Sequence, residues 1–422
     1  MFLLSRGSHR FRAAALSVAG IVLAWLAISK SLVAFLADTL PEAALTIAPE
    51  DPVALLNLAE RHGAAAAGAG ASPGAGPNDE LRLRAETALA GDPVNARALR
   101  ILGQLADAAG DKSRAVLFMR TAARRSVYES TAVLWLAKTS YEQKDHAAAL
   151  HYADILMRTR SRAMPLVLPI LSRMAEDPEA APGLHKLLAG NPPWRRDFLR
   201  SLPAVITDAR TPLKLLLPLR DTAAPPALAE IREYVNVLLN HNFHDLAYYT
   251  WLQFLPPEQL GGAGFLFNGS FEHAPSGLPF DWTLGGGPGA TVEIAPRPDK
   301  AGERALRIGL GPGRVDLQGV TQTLLLAPGA YRFKGKYRGE VKGTRGLVWR
   351  IACAGGAGTQ LGQSPMALGV AKDWKDVELA FTVPATGCKA QQLRLVLDAR
   401  SASEQLVSGS VWYDELSIAP IN

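Results

Sequence analysis

Cysteine is almost missing from this chain of 422 residues: there are two, Cys353 and Cys388. Two thiols exclude a Cys-rich metal module or a disulfide scaffold, and leave room for one bond in an oxidising compartment. An excess of one sign of charge is missing as well. Lys plus Arg is 45 against 39 Asp plus Glu, a formal net charge of +6 spread without any dense basic block, which argues against nucleic acid as a partner. Catalytic signatures are missing too. The eight histidines form no HExxH, and neither GxSxG nor GxxxxGK[ST] occurs, so no catalytic residue is assigned. A carboxylate pair for glycoside hydrolysis is a matter of spacing in three dimensions and stays open at this point. The only close pair of histidines, His241 and His244 in NHNFHD, reads as a polar turn between two helices in preference to a metal site.

What is present is ordinary globular composition, 48% hydrophobic and 20% charged, with length for two or three domains. This excludes a disordered or collagen-like chain. The 38 glycines and 29 prolines are unevenly placed, which points to differently built halves. Residues 13 to 29 carry no charge, and the apolar character resumes after Lys30 through Leu36. A span over 13–37 is long enough to cross a bilayer, with Lys30 snorkelling to the interface. Arg6, Arg10 and Arg12 precede it while Asp38 and Glu42 follow. The positive-inside bias then leaves residues 1–12 as a cytoplasmic tail and the bulk of the chain periplasmic, on a single-pass protein of a bacterial inner membrane. A cleaved signal peptide is the rival reading, opposed by the length of the run and the lack of an Ala-x-Ala site near Ala34 to Ala37.

Self-comparison pairs Leu99 with Val133, Leu102 with Leu136, Gly103 with Ala137, Asp111 with Asp145, Ala115 with Ala149 and Ala122 with Leu156, always 34 residues apart. That period, with small residues where two helices approach and a Gly110-Asp111 turn between them, resembles the tetratricopeptide repeat. Units run over 96–129 and 130–163. An earlier one is legible in Leu55, Leu58, Ala59, Leu81, Ala85 and Ala88, split by an Ala/Gly-rich insertion over 64–76 that reads as flexible. The resemblance implies an α-helical solenoid over 38–260 whose surface suits a protein or peptide of the envelope.

From residue 265 to 420, Gly-rich turns separate short alternating runs, such as Leu306, Ile308 and Leu310, or YRFKGKYR. These read as strands of a two-sheet sandwich. FNGSFE at 267–272, then Trp282, QTLLLAPGAYRFKGKYR, DWKDVELAFTVP and the closing VWYDELSI, resemble in order and spacing the jelly-roll, galactose-binding-like carbohydrate-binding modules. The fold class is therefore multidomain α plus β. The resemblance implies a glycan ligand, with Trp282 as the loop ring best placed to meet it. It also implies a structural calcium ion between the first and last strands, held by Glu272 and Asp414, or else a turn residue and an exposed strand residue; no other cofactor is required. Trp349 has inward strand parity, and Trp374 resembles a packed position. The stripe Arg332, Lys334, Lys336 and Arg338 is either a surface for acidic polysaccharide or anionic headgroups, or a solvated outer sheet face. Cys353 and Cys388 fall at strand ends that a jelly roll places on neighbouring strands, so a disulfide is expected, the alternative being two buried thiols. The combination resembles accessory proteins of exopolysaccharide systems. A non-catalytic adaptor is expected, holding polysaccharide on the sandwich and an envelope partner on the repeats. The alternatives are a protein-only scaffold and a polysaccharide hydrolase or lyase.

Overall fold

The computed structural model describes residues 5–68, 75–160, 162–354 and 358–421. Compact packing divides the chain into two units, Met1–Leu184 and His185–Asn422.

The first unit is helical. Helix α1 (Ser5–Thr39) contains Leu16–Thr39, long and apolar enough to cross a membrane, as a signal sequence also is. Leu16, Ile21, Leu23, Trp25, Ile28 and Phe35 are all exposed, so this helix is apolar around its circumference, as a lipid-facing segment is. Its last turns differ. Val33 and Ala37 are buried with Ala44 of α2 (Pro41–Ile47) and Ala54 of α3 (Pro52–Gly68). Asn57 donates to the Ala37 carbonyl at 2.7 Å, one of the C-terminal groups that a helix leaves unpaired. The expected flexible insertion at 64–76 is in part helix: α3 runs to Gly68 and α4 (Ala75–Gly91) begins at Ala75, because alanine favours helix. Residues 69–74 between them lie outside the described residues.

The repeat is plain in the element bounds. Helices α5 (Ala96–Ala108) and α6 (Lys112–Arg125) are followed 34 residues later by α7 (Ser130–Glu142) and α8 (His146–Thr159). Asp111 and Asp145 both cap, each carboxylate accepting the amide three residues on at 3.0 Å. The preceding residues, Gly110 and Lys144, are both left-handed, at φ 82° and 60°, a conformation that glycine adopts freely and lysine does not. Gly103 sits where α5 meets α6, and a Cβ there would lie 3.0 Å from Met119 Cγ. Helix α9 (Met164–Glu176) follows α8.

Helix α10 (Ala181–Ala189) crosses the division, and the second unit continues with α11 (Arg195–Ser201), α12 (Thr211–Leu219), α13 (Leu228–Asn240) and α14 (His244–Gln253). Arg195 and Glu230, both buried, form a two-pronged pair at 2.9 and 2.8 Å. Arg195 also reaches the Ala224 carbonyl at 2.9 Å, so the buried charges have their hydrogen bonds.

The chain changes from helix to strand after Gly262. Among the described residues ten strands follow: β1 (Thr283–Gly285), β2 (Ala290–Pro296), β3 (Arg304–Leu310), β4 (Gly319–Leu324), β5 (Gly329–Lys342), β6 (Leu347–Cys353), β7 (Gln360–Gln363), β8 (Gly369–Val383), β9 (Gln391–Leu397) and β10 (Ser408–Pro420). They make two antiparallel sheets, β1-β4-β9-β6-β7 and β2-β3-β10-β5-β8. The inward residues of each strand bury Leu306, Ile308, Tyr331, Phe333, Leu393 and Leu395 between the sheets, as the alternation predicts. Aromatic rings fill the centre: Trp349 lies 5.6 Å from Phe333 and 5.6 Å from Tyr413, edge to face with the latter. Cys353 at the end of β6 and Cys388 before β9 are joined in the expected disulfide.

Substituting Gly103 with leucine would drive a branched side chain into Met119 and is expected to cost about 1–3 kcal/mol. Thermal unfolding of the full chain followed by circular dichroism measures it, and an unchanged midpoint contradicts this packing.

Candidate functional site

The FNGSFE segment builds structure. Asn268, at φ 51°, holds the turn by accepting the His273 amide and donating to its carbonyl, at 3.2 and 2.8 Å. Gly269 lies against β10, where a Cβ would strike the Leu416 carbonyl, and its own carbonyl accepts the Leu416 amide at 2.9 Å. Phe271 enters the core 5.3 Å from Trp282. Phe267 turns the other way, 5.1 Å and edge to face with Trp251 of α14, and Phe280 completes this contact at 5.8 Å. The buried Gln322 satisfies both backbone groups of Phe267, at 3.0 and 2.9 Å.

Trp282 is not an open loop ring. It is 0% exposed, lies 5.9 Å from Trp349, and donates its indole N–H to the Asn268 carbonyl at 2.9 Å. Glycines at 285–287 suggest an exposed loop, but Gly285 belongs to β1 and the tryptophan before it is drawn into the core. Its ring is closed to solvent, although the residue lines the floor of the groove described below.

The basic stripe faces outward on β5, and acids on neighbouring segments meet it. Lys334 pairs with Glu378 at 3.1 Å, Lys336 with Glu415 at 2.7 Å, and Arg338 lies 3.8 Å from Asp299. Arg332 stands between Ala380 and Ala419 in the register. The two partly exposed tryptophans of this face are covered as well, Trp374 by Arg297 at 4.6 Å and Trp412 by Arg307 at 5.7 Å. The arrangement is a lattice of neighbouring charges on a solvated sheet face, with little net attraction left for a polyanion.

Glu272 and Asp414 do not fit the calcium ion that the resemblance implied. Asp414 is buried and accepts from Arg297 at 2.8 Å and from the Glu415 amide at 2.7 Å, while Glu272 accepts the Arg304 amide at 3.1 Å. Both carboxylates are thus engaged by N–H donors, and calcium needs converging oxygens. Among the described residues no group of three or more His, Cys, Asp or Glu is placed to hold a metal. Burial raises the Asp414 carboxyl above its ordinary value against the pull of Arg297, whereas the Arg297 bond holds Asp299 at about 2.

A different site emerges on the outer face of the first sheet. The register aligns Thr283, Thr321, Arg394, Arg350 and Gln363 across five strands, and Thr323 with Gln392 in the next row. At the β1 edge these rows form one wall of a groove of about 620 Å³, with Arg232, Asn236 and Leu239 of α13 and the turn Pro275–Pro279 opposite. Arg232 fastens that turn by donating to the carbonyls of Gly277 and Ser276 at 3.1 and 3.2 Å. Asp281 braces it from inside, accepting the Ser276 amide and hydroxyl at 2.7 and 2.8 Å. Among the described residues, the side chains of Thr283, Thr321, Thr323, Gln392 and Asn236 are committed to no protein partner. Five polar groups therefore face the groove with their hydrogen-bonding capacity unspent. The alternation in GVTQTL puts Thr321 and Thr323 on an outer face, but only the register brings them beside Thr283 and Gln392.

No family model matches this chain, and no curated protein does. Solved structures resemble its sandwich. A CBM4 structure is 14% identical over 37% of this chain and 99% of its own, with a TM-score of 0.28. TmCBM61, solved in complex with β-1,4-galactotriose, is 19% identical over 37% and 98%, at 0.26. A putative sugar binding protein from Bacteroides thetaiotaomicron is 10% identical over 33% and 87%, at 0.24. No ligand is carried over from them.

Two substitutions and a chelation test these placements. Trp282→Ala opens a cavity in the core and is expected to cost about 3–5 kcal/mol in denaturant unfolding; normal stability with a selective loss of ligand contradicts the burial. Arg297→Gln leaves Asp414 buried without its cation and is expected to cost about 3–5 kcal/mol. EDTA should leave the wild-type midpoint where it is, and a lower midpoint in EDTA contradicts the assignment of Arg297 as the partner of Asp414.

Proposed function

We propose that this protein is a membrane-anchored, non-catalytic adaptor that holds a glycan on its sandwich and a protein partner on its helical repeats, in assembly or export of a bacterial surface polysaccharide. The groove on the first sheet carries this reading. Its hydroxyl and amide side chains suit the hydroxyl groups of a sugar, and Pro275, Pro279, Leu239 and Leu284 in its walls suit the C–H faces. Among the described residues no carboxylate lines it, whereas glycoside hydrolysis works through two. Binding is favoured over cleavage.

The anchor reading draws on the packing of α1. Removal of the segment near residue 37 would strip Val33 and Ala37 from their burial against α2 and α3, a cost that an uncleaved helix avoids. Cations before the span and acids after it favour a cytoplasmic N-terminus, and the Cys353–Cys388 bond suits an oxidising compartment. For the repeats, the exposed apolar side chains Leu117, Tyr128 and Leu166 suit a protein partner, and the 34-residue offset is that of a tetratricopeptide-like array.

The test is retention of the full chain, in detergent, on electrophoresis gels cast with neutral or acidic polysaccharides. Wild type is expected to be retarded, and the double variant Thr321→Val, Gln392→Leu to lose about tenfold or more in affinity, since each lost hydrogen bond contributes about 0.5–1.5 kcal/mol. No retardation on any polymer, or retardation that the double variant leaves intact, contradicts the groove as the glycan site.

A further inference from the structure

Beside the turn joining α13 to α14 lies a second cleft of about 890 Å³, closed on one side by Lys389 from the segment that follows Cys388. It is distinct from the groove on the first sheet, and the two share no lining residue. We propose that this cleft binds an acidic saccharide, a uronate unit whose carboxylate meets Lys389 and Arg210 while its ring lies against Phe243 and Tyr249.

The cations come first. Lys389 and Arg210 reach the cleft from different elements, both exposed, and among the described residues neither has a carboxylate within ion-pair distance. This sets them apart from Lys334 and Lys336, each of which faces an acid across its strand. Two carboxylates, Asp208 and Asp245, line the cleft as well; Asp208 is held by Lys214 at 2.9 Å, takes the Arg210 backbone amide at 2.9 Å and also feels the Arg210 charge. Among the described residues neither cation is in an ion pair, so both keep their N–H donors for a carboxylate entering the cleft.

A bare anion would leave the rest of the wall unused. Phe243 and Tyr249 are 48% and 51% exposed, whereas the other rings of α14, Tyr248 and Trp251, pack on Phe280. Exposed rings beside charged groups offer a stacking surface for the apolar face of a pyranose. The third feature is His244. It is 92% buried, lines the cleft, and its Nδ1 has no hydrogen-bond partner. An unpaired buried polar atom is costly, and a sugar hydroxyl entering the cleft would relieve it. Burial first, and the Lys389 charge second, lower the imidazole pKa, with Asp245 acting the other way. The ring is accordingly neutral near pH 7 and offers a hydrogen bond while Lys389 and Arg210 supply the charge.

The full chain in detergent is titrated calorimetrically with the trimers of galacturonate and of mannuronate, their methyl esters, and inorganic phosphate. At least one uronate trimer is expected to bind, its uncharged methyl ester about tenfold or more weakly, because hydrogen bonds to charged groups contribute about 1.5–3 kcal/mol. Lys389→Gln and Tyr249→Ala are each expected to weaken the trimer about fivefold or more, with unfolding midpoints unchanged. The groove variant Gln392→Leu should bind the trimer as wild type does, so failure of the groove and failure of this cleft are read separately. Binding of neither trimer, equal binding of the ester, phosphate as tight as the trimer, or an affinity that Lys389→Gln and Tyr249→Ala leave unchanged overturns the proposal.

Discussion

The edge-to-face contact of Trp251 with Phe267, backed by Phe280, is the interaction on which both clefts depend. It docks α14, and with it α13, on the edge of the sandwich. A buried tryptophan removes roughly 150–250 Å² from water, about 4–6 kcal/mol at 25 cal/mol per Å². The other polar ties at this junction are smaller: the exposed bonds from Arg232 to Ser276 and Gly277 orient a turn and add about 1 kcal/mol each at most. Hydrophobic area holds the helices, and hydrogen bonds set the shape of what they enclose. The sheet supplies one wall of the groove and α13 the other, while the second cleft needs the turn after α13 on one side and Lys389 on the other.

Charge is handled differently in different parts of this unit. Inside, Arg195 and Glu230 satisfy each other with two bonds, and Arg297 neutralises Asp414. Breaking either pair strands a buried charge, which costs far more than the pair itself contributes. On the outer face of the second sheet, cations and acids alternate across strands, each exposed pair worth less than about 1 kcal/mol. Together they keep that face solvated and close to neutral. At the second cleft Lys389 and Arg210 stand beside Asp208 and Asp245 with no ion pair formed among the described residues, as Arg232 stands at the groove bonded only to carbonyls.

The repeat was legible because it is local: Asp111 and Asp145 cap helices 34 residues apart, and Gly103 and Ala115 mark the contact between paired helices. Alternation gave the strands, and a count of two thiols in one domain gave the disulfide. The burial of Trp282 is tertiary and so not visible in its glycine-rich surroundings, since it follows from Phe271 and the Asn268 carbonyl folding back onto it. Asp414 is held by Arg297, a partner 117 residues away in sequence that no local motif reveals. The insertion reads as flexible through its glycines, yet its alanines extend α3 to Gly68. The groove could not be read at all, as Thr283, Thr321 and Gln392 meet only through the pairing of β1, β4 and β9.

Hydrogen–deuterium exchange of the full chain in detergent, with and without a panel of neutral oligosaccharides, tests the glycan adaptor most directly. The account predicts slowed exchange in the Pro275–Pro279 turn and along β1, β4 and β9, with β5 and β8 unchanged. Protection confined to β5 and β8, or none with any glycan of the panel, would contradict it.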